Sequence, residues 1–89
     1  MYLHLGQDTV IKLRDIIGIF DLDKSTISKQ TRDFLSRAER SGQVINVTTE
    51  LPKSFVLCNK NNQFVVYISQ ISTTTLLKRT YYFDEIANI

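Results

Sequence analysis

Cysteine occurs once in this chain, histidine once, and glycine only three times. Each scarcity excludes something. Cys58 stands between Leu57 and Asn59 with no second thiol, so neither an internal disulfide nor a thiolate cluster can form; it reads as a small buried strand residue. With His4 the only imidazole, a metal site would have to be built almost wholly from carboxylates, and none is expected. Asp15, Asp21 and Asp23 have some of the spacing of a calcium loop, but its glycine and closing glutamate are absent. The glycines are isolated, so no glycine-rich phosphate loop exists. These gaps point away from an enzyme and away from any cofactor. No run approaches the ~18–20 apolar residues of a membrane span, and the first residues lack a charged-then-apolar signal pattern. A reducing cytoplasm is the expected compartment.

What is present is an ordinary globular composition, 43% hydrophobic over 89 residues. One domain over 1–89 is expected, short enough that self-association would add needed burial. Eleven Lys and Arg against nine Asp and Glu give a net charge of only +2, so any basic surface must come from local gathering.

Periodicity predicts an α+β fold: a mainly antiparallel sheet, one principal amphipathic helix and a short second helix. Tyr2–Leu5 and Thr9–Leu13 read as a hairpin around Gly6-Gln7-Asp8. Asp15–Phe20 is β-branched and aromatic without alternation, the pattern of a strand covered on both faces; Gly18 inside it marks a bulge or a close approach. Ile27, Thr31, Phe34, Leu35 and Ala38 form one helical stripe, predicting a helix from Ser25 to Ser41 capped by Asp23 or Ser25 and ended by Gly42. Val44–Thr48, Ser54–Cys58 and Phe64–Ile68 read as strands, with Pro52 outside the ladder and Lys60–Gln63 as a polar connection. Ser72–Lys78 has a weak helical pattern, weakened by its threonines, and Tyr81–Ile86 is apolar enough to pack.

Lys29, Arg32, Arg37 and Arg40 alternate with Asp33 and Glu39 and read as a solvated helix face. Arg14, at a strand junction, Lys53, at a strand mouth, and the pair Lys78-Arg79 are the remaining basic sites. An arginine fixed on a rigid element can make forked contacts to phosphate or guanine.

Four segments, in order, resemble the Rem family of small regulators of extracellular-matrix and biofilm genes in Bacillus and related bacteria. They are Met1–Gly6, Arg14–Asp21, Pro52–Leu57 and Thr75–Arg79, and the likeness is closer to the RemB type than to the RemA type. The resemblance implies a transcriptional regulator that binds double-stranded DNA as a ring-shaped homo-oligomer on repeated sites, with Arg14 at the position of an arginine implicated in DNA contact. Lys53, Lys78 and Arg79 are the accompanying candidates. RemA-type members carry an arginine pair in the loop that here reads Glu50-Leu51-Pro52-Lys53, so only Lys53 is basic there. The alternative reading is an oligomeric interaction module, or co-regulator of a related regulator, with weak or no DNA contact of its own.

Overall fold

Alternating apolar residues fold the start of the chain into a two-stranded hairpin. The computed structural model describes residues 1–25 and 28–87, with side chains described for residues 1–24 and 28–80. Strand β1 (Tyr2–Gly6) pairs antiparallel with β2 (Thr9–Lys12), Leu3 opposite Ile11. Leu3, Leu5 and Ile11 are buried, while Tyr2, His4, Val10 and Lys12 face outward. Gly6 at φ 113° and Gln7 at φ 49° make the turn in the left-handed region that glycine enters at no steric cost. The second strand stops one residue before the expected Leu13. Leu13–Asp15 instead form a single 3-10 turn, and Arg14 rides on it.

The main sheet has four strands in the order β3-β5-β6-β4: β3 (Ile16–Asp21), β4 (Val44–Asn46), β5 (Ser54–Lys60) and β6 (Gln63–Ser69). β5 is antiparallel to both neighbours, whereas β4 runs parallel to β6, a pairing that alternation alone cannot reveal. The polar connection is tighter than expected. Lys60 already pairs with Gln63, and Asn61 and Asn62 turn the chain at φ 51° and 66°, as a type I′ hairpin requires. Pro52 lies outside the ladder as expected.

One expectation is corrected. Residues 15–20 are not covered on both faces: β3 is an edge strand, with Ile17 53% and Phe20 38% exposed. Gly18 follows a register shift after Ile16. A Cβ there would lie 2.7 Å from the Phe20 ring, which folds back over it and stacks on Phe55 at 4.8 Å. Composition reads as "apolar strand" in either case; only the register decides which strand is outermost.

Each sheet face is covered separately. On one, Val56, Cys58 and Tyr67 pack against Leu3, Leu5 and Ile11 of the hairpin and Leu76 of α3 (Thr73–Ala87). On the other, Phe55 and Val66 meet Ala38, with Phe34 and Leu35 beside it, all from α2 (Lys29–Arg40). The expected helix start at Ser25 is therefore replaced by a short α1 (Leu22–Ser25) and a fresh start after Ser28. Asp21 holds the first of these, accepting from the Lys24 N–H at 3.0 Å, and the N-cap of the main helix is Ser28, in place of the expected Asp23 or Ser25. Ile27 of the predicted stripe lies outside the described residues.

At the other end, Gly42 at φ 73° donates to Glu39 O and Gln43 donates to Ala38 O at 2.9 Å, the paired bonds of a Schellman cap. The second helix is not short: α3 runs 15 residues, because the segment after the threonines continues it. Arg79 Nη1 donates to His4 O at 2.9 Å and Ser69 Oγ to Leu5 O at 2.7 Å, tying β1 to the rest.

Candidate nucleic-acid interface

The pairing of β3 with β5 decides where the basic residues meet. Ile16 stands opposite Cys58, so two residues earlier on one strand and two later on the other, Arg14 and Lys60 come to the same end of the sheet. Lys12 arrives there from β2, where it pairs with Tyr2. The three cations line one open cleft of about 330 Å³ together with Tyr2, Asp15 and Asn61. A second depression of about 200 Å³ adjoins it and shares Tyr2, Lys12 and Arg14. All three cationic residues are exposed.

Lys60 is not loose. Its Nζ donates to the Tyr67 hydroxyl at 2.9 Å and lies 5.6 Å from the centre of that ring. The hydrogen bond to Tyr67 is the main cause holding the ammonium above its ordinary pKa, against a smaller, opposing desolvation, with the Asp15 carboxylate adding to it. Tyr67 itself is only 4% exposed and is fixed in the core.

The other expected residues lie elsewhere. Lys53 precedes β5 and Lys60 ends it, so a strand length of roughly 20 Å separates them. The Lys53 backbone is pinned, donating to Ser69 O at 2.8 Å and accepting from the Leu22 N–H at 3.0 Å, while its side chain is exposed. Lys78 is exposed on α3, and Arg79 is half-buried and donates one guanidinium N–H to His4 O. Of the four candidates, the fold puts Arg14 alone in the cleft. Sequence reading passed over Lys12 and Lys60; the signal available was weak, a lysine on the outward side of a strand and another opening a polar turn. His4 is exposed on β1, with Nε2 2.8 Å from Gln7 O. The α2 charges include an exposed Lys29–Asp33 pair at 3.2 Å, the kind of surface contact that contributes little.

Behind the cleft, Cys58 is fully buried and unpaired. Burial, reinforced by Asp15 and opposed by Lys60, pushes its thiol up to about 11. The unfolded chain loses this proton first as pH rises, so folding stability is unaffected below pH 9 and falls between about 9 and 11. The expected loss is roughly 2–3 kcal/mol. Urea unfolding at pH 7.5 and pH 10.5 checks it, and Cys58→Ala should flatten the difference; an equal fall in the variant assigns the alkaline sensitivity elsewhere.

Among the described residues, no group of three or more His, Cys, Asp and Glu converges to hold a metal ion, and no helix is long and apolar enough to cross a membrane. Residues 2–80 match the family model RemA-like, described as extracellular matrix regulatory protein A-like. The chain is also 38% identical over 86 residues to extracellular matrix regulatory protein B of Bacillus subtilis (strain 168), covering 97% of this chain and 98% of that protein.

Proposed function

The chain belongs to the RemA-like family of extracellular matrix regulators, and from that membership we propose that it is a non-enzymatic, cytoplasmic transcriptional regulator that binds double-stranded DNA as a ring-like homo-oligomer on repeated sites. The observation that carries this reading is the convergence of Lys12, Arg14 and Lys60 at one sheet end in a chain whose net charge is only +2. Lys and Arg presented together to phosphates supply the sequence-independent part of DNA affinity. Lys53 and Lys78, each exposed elsewhere on the surface, are further candidates for phosphate contact.

Assembly is supported by what the isolated chain leaves open. β3 is an edge strand of six residues with Ile17 and Phe20 exposed, and it carries neither lysine nor proline to guard it. A neighbouring copy at this edge would pair its open backbone groups and bury Ile17. Closing a ring requires two different surfaces that fit each other. The sheet has two outer strands, β3 and β4, and Ile45 on β4 is 44% exposed.

A second reading is favoured by one specific feature. Leu51 is 82% exposed beside Glu50 and Lys53, on a loop that offers an apolar tip where a phosphate contact would need cations. A loop of this kind suits a protein partner, and the chain would then act as co-regulator of a related regulator. The two readings separate on one experiment: solution mass with and without promoter DNA across a salt series, for the natural chain and for Arg14→Ala. The first reading expects a multimer, binding that weakens steeply with salt, and loss of binding in Arg14→Ala. Binding that is absent at low salt, or indifferent to salt, sinks it and leaves the partner-binding reading.

A further inference from the structure

We propose that Lys60, held by Tyr67, and Lys12 flank Arg14 as a preformed clamp for backbone phosphate, so that the cleft at this sheet end is a phosphate site built from three separate segments. The inference rests on the DNA-binding reading for the source of the phosphate, and on geometry alone for the site. Lys12 ends β2, Arg14 sits on the 3-10 turn and Lys60 opens the β5–β6 turn, so three rigid backbone elements converge without a mobile loop among them.

Three features make the cleft more than a chance gathering of charge. First, Lys60 gives one N–H to the Tyr67 hydroxyl and keeps two for a ligand oxygen, so part of its rotamer freedom is already spent. Second, Tyr67 is buried and paired across the sheet with Val56, which fixes the hydroxyl that aims the ammonium. Third, Tyr2, Lys12 and Arg14 line both depressions, so the two cations stand in a wall common to both. A guanidinium carries a fork of N–H donors that matches phosphate oxygens. Asp15 also lines the cleft and is the single acidic group among the lining residues. Three cations against that one carboxylate leave the cleft able to take an anion of charge one or two, which matches a phosphodiester or a terminal phosphate.

The experiment uses the full chain and five variants: Lys12→Gln, Lys60→Gln, Arg14→Ala, Tyr67→Phe and, as a control far from the cleft, Lys24→Gln. Affinity for a promoter duplex is measured across a salt series, and amide shifts of Lys60 and Asn61 are followed by NMR during titration with sodium tripolyphosphate. Lys12→Gln and Lys60→Gln should each weaken DNA binding by about tenfold or more and flatten the log K against log salt slope by about 0.9 per contact removed. Tyr67→Phe should weaken binding while keeping the slope, since the charge remains and only its aim is lost; Lys24→Gln should change neither. Tripolyphosphate should shift Lys60 and Asn61 in the natural chain and not in Lys60→Gln or Arg14→Ala.

If the natural chain binds DNA and both lysine variants keep its affinity and slope, the clamp is overturned while DNA binding stands. If the natural chain binds no DNA but tripolyphosphate shifts the cleft, the site holds and its phosphate comes from a free ligand. Absence of both signals overturns the site as well.

Discussion

Ile17→Lys should turn the proposed assembly into single chains and weaken promoter binding by about 100- to 10,000-fold, the range by which linked sites exceed one site alone. The position is suited to the test because Ile17 is already 53% exposed, at the register shift of the edge strand. A lysine there keeps its ammonium in water in the isolated chain, at small cost to folding. Against a neighbouring copy the same ammonium must lose its water with no partner supplied, a charge burial that close packing does not repay. Lysine on an outer strand is also the usual guard against edge-to-edge pairing. Phe20 is the less clean choice, since its ring stacks on Phe55 and a change there disturbs the fold. Sedimentation of Ile17→Lys beside the natural chain, followed by DNA titration of both, reads the two effects. An unchanged mass in Ile17→Lys removes β3 from the assembly surface.

The largest effect on folding is expected at Leu76. It is fully buried, and among the described side chains of α3 it is the one that reaches the core formed by Leu3, Leu5, Ile11 and Val56. Leu76→Ala removes buried apolar surface and leaves a cavity between a helix, a hairpin and a sheet, three bodies that cannot all move inward together. The expected loss is about 3–5 kcal/mol, a large share of the roughly 5–15 kcal/mol that holds such a domain. Leu77→Ala, one residue on and 42% exposed, is expected to cost about 1 kcal/mol or less. Urea unfolding of both variants decides the point; similar losses at the two positions would mean that α3 is not anchored through Leu76.

Much of this fold was legible in local pattern. The Leu3/Leu5/Ile11 alternation gave the hairpin, the Phe34/Leu35/Ala38 stripe gave the inner face of α2, and Gly42 gave its end. Pro52 and Cys58 also fell where their chemistry puts them. What escaped was decided by pairing between distant segments. Nothing in Ile16–Phe20 distinguishes an inner strand from an outer one, and nothing in Val44–Asn46 says that its partner runs parallel. α3 was read as short because three threonines weaken its first turn, yet packing of Leu76 overrides that preference. The candidate site was legible only at Arg14. Lys12 and Lys60 are 48 positions apart in the sequence, and only the Ile16–Cys58 register brings them to one cleft.

The ties between β1 and the far end of the chain also govern how the protein comes to be folded. Ser69 reaches Leu5 and Arg79 reaches His4, contacts spanning 64 and 75 residues. The β1–β2 hairpin can close on its own in microseconds, but the apolar side it presents has nothing to rest on until β5, β6 and α3 exist. During synthesis from the ribosome, Leu3, Leu5 and Ile11 are therefore made first and sheltered last. A nascent chain with this topology keeps that apolar side uncovered until the later segments emerge, and translation speed through residues 54–79 sets how long that exposure lasts.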